Sequence, residues 1–153
     1  MKFEGEFSVA ASPEETWEFL LDPDQLGSCI PNCQDVTVID DETYTATIGI
    51  SISYISATFD TNVEIAEQEE EEYLKVHLTG DASEGDSRME ATGEMWMSER
   101  EDGGTDIKYV NAVDVTGRVM NMGSRIVKSV GQRQTTKTVN NIQEALGTPK
   151  AEV

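Results

Sequence analysis

The sequence predicts a single α+β domain, residues 1–147, in which a curved antiparallel sheet of about seven strands wraps around a long C-terminal helix, with a short tail at 148–153. Short runs of alternating apolar and polar residues recur between residues 2 and 116, which is the pattern of half-buried strands. The segment 118–146 instead contains no proline and repeats apolar residues at helical spacing. A chain of 153 residues is long enough to bury one such core.

The N-terminal part predicts one strand followed by two short helices. Residues 2–10 alternate in polarity and form the predicted strand. Ser12 then supplies an N-cap, with a proline in the first turn and a glutamate that completes the capping box. Asp22 and the proline after it end this helix, and Asp22 caps a second short helical turn through Leu26 that ends by Pro31.

Six further strands follow, and each has one apolar phase. Strands with a single apolar face bury only one side of the sheet, which predicts a curved sheet and not a sandwich. The links between the strands are polar and resemble hairpin connections, so we expect an antiparallel meander. The clearest links are at residues 40–41, 67–72, 85–86 and 102–104.

The C-terminal helix is predicted over residues 118–146, with Gly147 as its stop. Its first half carries an apolar stripe, but residues 131–138 contain no large apolar side chain, and the stripe resumes on a different side of the helix. We expect a bend near Gly131, because glycine loosens a helix interior. The apolar stripe of the first half consists of Val119, Met122, Ile126 and Val130.

The predicted order of strand, two short helices, six strands and long helix is the helix-grip arrangement, which leaves a cavity between the sheet and the helix.

The surface is predicted to be strongly acidic, because the chain has 30 Asp and Glu but only 11 Lys and Arg, and its formal net charge is −19. Repulsion on this scale destabilises a compact chain unless concentrated salt screens it over about 3 Å at molar ionic strength. We therefore expect a cytoplasmic protein of a halophile. Nucleic acid is not expected as a partner, because its phosphates would be repelled. We expect no signal peptide or transmembrane segment, and at most peripheral contact with the inner face of the membrane.

Positive charge is concentrated at the C-terminal helix. Residues 118–153 hold six of the 11 Lys and Arg but only two of the 30 Asp and Glu. Two interpretations remain open. The basic face could contact an acidic partner or anionic lipid, for which each residue contributes about 1 kcal/mol at ordinary salt. It could instead pair with the chain's own acidic sheet and loops.

The chain offers few residues for catalysis or metal binding. Cys29, Cys33 and His77 are the only cysteines and histidine, and we expect ordinary buried thiols with no metal and no cofactor. His77 lies on the polar phase of its strand, which predicts a solvent-facing side chain. The sequence contains no nucleophile elbow and no phosphate loop, so the residues do not predict an enzyme.

Methionines are the residues that best indicate a ligand site. Met89, Met95 and Met97 share one strand phase, and Met120 and Met122 open the helix that packs nearby. Flexible, polarizable side chains around one space suit an apolar ligand of loosely specified shape, although ordinary core filling is the alternative. The residues expected to line a cavity are Phe59, Met95, Met97, Tyr109, Met122, Ile126 and Val130.

One stretch is specific enough to indicate a family. Residues 17–33, WEFLLDPDQLGSCIPNC, resemble the G-subunit family of carbon monoxide dehydrogenase, within the START-like, birch-pollen-allergen-like superfamily. The following YTATIGISI at 44–52 and the glycines at 103–123 are similar to that family too, so the resemblance covers about residues 2–146. Asn32 stands where the family has Gly, and Asn tolerates positive φ. The sequence also stops soon after the helix, whereas several relatives continue into a tail associated with membrane attachment.

The resemblance implies a non-catalytic accessory protein that binds an apolar small molecule, a lipid or quinone, and assists a molybdenum hydroxylase such as aerobic carbon monoxide dehydrogenase. One alternative is an enzyme similar to the polyketide cyclases and dehydratases of the superfamily, for which Tyr109 and Asn111 share a strand phase that could supply polar groups to the cavity. Another is a protein that binds only another protein and has a filled interior. A largely apolar cavity would favour the carrier.

Overall fold

Residues 1–52, 55–83 and 86–149 are described by the computed structural model of the protein, and the predicted turn residue Gly85 and tail residues 150–153 lie outside these ranges. The strands and helices follow the predicted order. The strands are β1 (Lys2–Val9), β2 (Cys33–Asp40), β3 (Thr43–Ile52), β4 (Ile55–Glu69), β5 (Tyr73–Ala82), β6 (Arg88–Glu99) and β7 (Thr105–Thr116). The helices are α1 (Pro13–Leu21), α2 (Pro23–Cys29), a 3-10 helix (Arg118–Met122) and α3 (Ser124–Leu146).

The strands of the described ranges form one antiparallel sheet in the order β1-β7-β6-β5-β4-β3-β2. Consecutive strands from β2 to β7 pair with one another, and β1 and β2 are the two edges, with β1 beside β7. The predicted α+β fold, the antiparallel meander and the two short helices after the first strand are therefore confirmed.

Side-chain caps fix α1 and α2 as predicted. The Ser12 hydroxyl accepts a hydrogen bond from the Glu15 backbone N–H at 3.2 Å. The Asp22 backbone N–H closes α1 by donating to the Phe19 carbonyl, and its carboxylate begins α2 by accepting from two backbone N–H groups in the first turn. One aspartate thus ends one helix and begins the next, which brings α2 against β2 and α3.

The turn after α2 has the backbone conformation expected for the family. Asn32 has a φ of 58°, so asparagine takes the left-handed conformation that glycine would take there. The Asn32 carbonyl accepts a hydrogen bond from the Gly49 backbone N–H at 3.0 Å. This bond ties the turn to β3, and Ile30, two residues earlier, lies between the sheet and α3.

The predicted C-terminal helix is two elements, and the prediction that one helix begins at Arg118 is wrong. Residues 118–122 form the 3-10 helix, and α3 begins at Ser124. Gly123 separates them with a φ of 99°, a left-handed conformation through which a right-handed helix cannot continue. Sequence spacing does not reveal this break, because apolar residues on both sides still fall at helical intervals.

The 3-10 helix is fixed by the chain just before β6. The backbone N–H groups of Arg118 and Val119 donate to the side chains of Asp86 and Ser87 at 3.0 and 2.9 Å. Gly117 has a φ of 93°, and an added Cβ would lie only 2.5 Å from the Asp86 carbonyl oxygen. These contacts bury Val119 against the smaller part of the core.

The core of the described residues contains two clusters of buried hydrophobic side chains, one toward each end of α3. Residues 131–138, the middle turns of α3, contribute to neither cluster. The larger cluster is Val9, Trp17, Phe19, Leu20, Cys29, Leu74, Met97, Ile107 and Ile142. The smaller cluster is Phe59, Val119 and Val127.

Gly131 brings the middle of α3 against β1. An added Cβ at this position would lie 2.5 Å from the ring of Phe3, whose side chain is buried. The helix runs through Gly131 without a break. The close approach to Phe3 therefore explains the glycine.

The variant Gly131→Ala tests this close approach. Alanine in an open helix interior is normally more stable than glycine by about 1 kcal/mol. Here the added methyl group would collide with the Phe3 ring, so we expect the free energy of unfolding to fall by about 1–3 kcal/mol, as in other overpacked cores. Chemical denaturation measures the change.

The control is Gln132→Ala at the next, exposed position of α3, which should change the stability little. The double variant Gly131→Ala/Phe3→Leu should recover part of the loss, because leucine leaves more room than a ring. A Gly131→Ala protein that is more stable than the wild type would contradict the close approach.

Candidate ligand-binding site

A cavity of about 310 Å³ lies between α3 and the inner face of the sheet. Its volume is at the lower end of the range for small-molecule pockets, about 300–1,000 Å³. Most of its wall is apolar. The larger side chains of the wall are Phe3, Phe7, Ile48, Ile50, Phe59, Leu78, Met89 and Met95 from the sheet, Met122 from the 3-10 helix, and Val127, Val130, Val139 and Ile142 from α3.

The space exists because small side chains face each other across it. On α3 the wall includes Gly131, Thr135 and Thr138, and on the sheet it includes Ala91 and Gly93. The two buried clusters hold α3 away from the sheet at its two ends. Protein interiors are otherwise close-packed, so a gap bounded by small residues on both sides is a specific feature of this sequence.

Five of the seven residues predicted to line a cavity do line it. They come from β4, β6, β7, the 3-10 helix and α3, so the topology brings together residues that are distant in sequence. That they contact a ligand stays a prediction. These residues are Phe59, Met95, Tyr109, Met122 and Val130.

Met97 does not line the cavity. It shares a strand phase with Met95 and is buried, but it belongs to the larger core cluster together with Trp17. The reason is that α1 covers this end of β6. Strand phase predicts which face a residue is on, but it does not predict which helix covers that part of the face.

Ile126 does not line the cavity either, because it is 44% exposed. The next residue, Val127, is only 7% exposed and takes the inward position. The predicted stripe assumed one helix beginning at Arg118, whereas α3 begins at Ser124 after the break at Gly123, and its inward face runs through Val127 and Val130. Val127 is therefore the residue that sequence spacing missed.

The polar middle of α3 was also missed as part of the wall. Gln134, Thr135 and Thr138 all face the cavity. Each donates a hydrogen bond from its side chain to a backbone carbonyl at 2.8–3.0 Å: Gln134 to Pro31, Thr135 to Gly131, and Thr138 to Gln134. Threonines bonded back to their own helix present methyl groups, so a polar sequence can form an apolar surface. The sequence signal that could have indicated this part of the wall is the absence of large apolar residues from 131–138.

Tyr109 and Asn111 complete the wall from β7. They lie two residues apart and so face the same side of the sheet. The Tyr109 ring packs against Phe7 with ring centroids 6.0 Å apart. Burial raises the pKa of Tyr109 above its ordinary value, so its hydroxyl is protonated at neutral pH.

A second cavity of about 130 Å³ adjoins the first beneath α2. Burial raises the pKa of Tyr44 in its wall to about 12, with a smaller contribution from Cys33. Burial also raises the pKa of the Cys29 and Cys33 thiols, which keeps them protonated and poorly reactive. The residues shared by both cavities are Ile30, Ile48, Leu78, Gly93, Met95 and Asn111.

The outer face of the sheet carries an aromatic pair and the histidine. Trp96 is 38% exposed and packs against Tyr73 with ring centroids 5.7 Å apart. His77 is exposed, and its Nδ1 lies 3.0 Å from the Thr92 hydroxyl. The predicted exposure of His77 is confirmed.

The outer face of α3 carries exposed cations. Its Arg and Lys residues are exposed, and the salt bridges of the described chain involve cations elsewhere, in β1, in β6 and after β6. The interpretation that the helix pairs with the chain's own acids is therefore wrong for the described residues. The exposed cations are Arg125, Lys128, Arg133 and Lys137.

Across the described ranges, no helix is both long enough and apolar enough to cross a membrane.

Solved structures share this architecture. A conserved protein from Geobacillus kaustophilus has a TM-score of 0.85 at 23% identity over 95% of each chain. A START superfamily protein from Mycobacterium smegmatis has a TM-score of 0.70 at 11% identity, with 95% of this chain and 96% of that chain covered. The Zhui aromatase/cyclase from a Streptomyces species has a TM-score of 0.68 at 12% identity, with 95% and 93% covered. At these identities the likeness shows the fold alone.

The family is shown by sequence. No curated protein matches the chain, but the family model for the carbon monoxide dehydrogenase G subunit (CoxG) matches residues 5–147. This match spans the strands, the short helices and α3, and it includes the stretch 17–33 from which the resemblance was inferred. The chain belongs to the CoxG family, the G-subunit family of carbon monoxide dehydrogenase.

Proposed function

We propose that the protein carries an apolar small molecule, a lipid or a quinone, in the cavity beneath α3, and that it assists a molybdenum hydroxylase without catalysing a reaction itself. The observation that carries this proposal is a cavity of about 310 Å³ with a mostly apolar wall. Natural cores are close-packed, so this much space between apolar side chains suits a bound apolar molecule. This favours a bound ligand over ordinary core filling.

The composition of the wall favours a carrier over an enzyme. Among the described residues, no Asp, Glu, His, Lys, Arg or Cys side chain lines the larger cavity. These are the side chains that most often transfer protons or attack a substrate. The alternative, an enzyme similar to polyketide cyclases and dehydratases, is supported by the inward-facing Tyr109 and Asn111 and by the fold shared with an aromatase/cyclase.

The partner is proposed from the family. The family takes its name from a component of carbon monoxide dehydrogenase, and we take a molybdenum hydroxylase of this kind to be the enzyme that the carrier serves. The cavity and the partner are separate parts of the proposal, since a ligand could be bound in the absence of the enzyme.

The basic outer face of α3 supports peripheral contact with an anionic membrane at the inner face. Arg125, Lys128, Arg133 and Lys137 are exposed, and Ile126 lies among them with 44% of its surface exposed. The opposite face of the same helix forms the roof of the cavity. Docking through this face would bring the roof of the cavity to the surface from which an apolar ligand comes.

The acidic remainder of the surface supports a working environment of high salt, as in the cytoplasm of a halophile. The net charge of −19 includes a helix that is itself basic, so the repulsion is concentrated on the sheet and loops. Molar salt screens it over about 3 Å. The same screening weakens contact between α3 and an anionic surface, so membrane contact should depend steeply on ionic strength.

Filling the cavity from the sheet side tests the carrier. Ala91 of β6 faces the cavity, so Ala91→Phe should place a ring in the space a ligand would occupy. We expect affinity for decylubiquinone, measured by quenching of tryptophan fluorescence, to fall at least about tenfold, which corresponds to 1.4 kcal/mol.

The matched control is Ala112→Phe, which adds the same group to the exposed face of neighbouring β7. It should leave affinity for decylubiquinone unchanged. Wild-type protein that binds neither decylubiquinone nor a fatty acid, or equal losses for the two variants, would contradict the proposed carrier.

Charge removal on α3 tests the membrane contact. Arg133→Gln/Lys137→Gln should weaken binding to vesicles of equal parts phosphatidylglycerol and phosphatidylcholine by about 30-fold at low salt, because each cation contributes about 1 kcal/mol. Lys2→Gln/Lys108→Gln removes the same charge from the exposed side of β1 and β7 and should have a much smaller effect. Equal losses for the two double variants, in a co-sedimentation assay, would contradict docking through α3.

A further inference from the structure

Two polar side chains in the cavity wall have no hydrogen-bond partner within the described part of the chain. Tyr109 and Asn111 both line the cavity, whereas the three polar side chains of α3 donate to backbone carbonyls. No fully buried side-chain nitrogen or oxygen of the described residues lacks a partner. The Tyr109 hydroxyl and the Asn111 carboxamide are therefore accessible from the cavity.

Glycines on the neighbouring strands make room for both groups. Gly5 of β1 lies opposite Tyr109, and an added Cβ would be 2.6 Å from the phenol oxygen. Gly93 of β6 lies opposite Asn111, and an added Cβ would be 2.8 Å from the carboxamide oxygen. Neither glycine has a positive φ. Space, and not backbone conformation, therefore explains both glycines.

The two groups have matching chemistry. The hydroxyl donates one hydrogen bond and accepts others, and the carboxamide donates two and accepts through its oxygen. Because the pKa of Tyr109 is raised by burial, its hydroxyl keeps its proton across the physiological range. A carbonyl oxygen or a hydroxyl group is the ligand atom that both can bind.

We propose that Tyr109 and Asn111 anchor the oxygen-bearing end of the bound molecule, so that the ligand is an amphiphile with a carbonyl or hydroxyl group and not a plain hydrocarbon. The anchor rests on the proposed function, because it needs a ligand in this cavity. The apolar remainder of the ligand lies along the wall toward Phe59 and Val127. A molecule without the oxygen would leave both polar groups covered and unpaired, which lowers its affinity.

Two probes that share a ring skeleton test the anchor. Menadione is a methylated naphthoquinone with carbonyl oxygens, and methylnaphthalene is the hydrocarbon without them. We expect Tyr109→Phe and Asn111→Leu each to lower the affinity for menadione about five- to tenfold in equilibrium dialysis. The affinity for methylnaphthalene should stay the same or rise, because a polar group is removed from an apolar site.

The control is Tyr73→Phe on β5, whose hydroxyl bonds to Glu94 and not to a ligand in the larger cavity. It should change the affinity for neither probe. Infrared spectroscopy gives a second readout: the carbonyl stretch of menadione should shift to lower frequency on binding to the wild type, and part of this shift should be lost in Tyr109→Phe. Because Tyr109→Phe removes a single oxygen, it carries the test even if Asn111→Leu fails to fold.

The outcomes separate the anchor from the carrier. Equal losses for both probes, or unchanged menadione affinity in both variants, would overturn the anchor and leave the carrier in place. Binding of neither probe to wild-type protein would overturn both. Selective loss of menadione, with the infrared shift reduced, supports the anchor.

Discussion

The cavity depends on α3 crossing the sheet on two separate apolar contacts, between which glycine, glutamine and threonine occupy most of the inward positions of the helix. Val127 joins the smaller cluster near the start of the helix, and Ile142 joins the larger cluster near its end. Between them Gly131 rests against Phe3, and the threonines that follow bond back to their own helix. Because these residues cannot fill the space, and the two end contacts prevent the helix from sinking into it, the cavity persists.

Much of the fold could be predicted from the sequence because its signals are local. The Ser12 cap, the double role of Asp22 and the alternating strands each depend on a few neighbouring residues. The site could be predicted less completely, because it depends on where distant elements cover one another. Met97 has the right strand phase but is covered by α1, and Ile126 has helical spacing to Val130 but is exposed, while the adjacent Val127 faces inward.

The two faces of α3 differ in charge: one bounds the cavity and the other carries cations. Its inner face is uncharged and bounds the cavity, and its outer face carries exposed cations in a chain whose net charge is −19. Electrostatic repulsion would keep most of the surface away from an anionic partner, so any approach to one would be oriented with α3 first. In the proposed function, the same helix both encloses the ligand and directs the protein to the surface where the ligand is exchanged.

The central claim is that the cavity holds an apolar molecule in the cell. The most direct measurement is native mass spectrometry of protein purified from its own host, held in molar salt until buffer exchange, followed by organic extraction. We expect one lipid or quinone per protein, bearing a carbonyl or hydroxyl group. A mass equal to that of the chain alone, with no such molecule in the extract under gentle conditions, would contradict it.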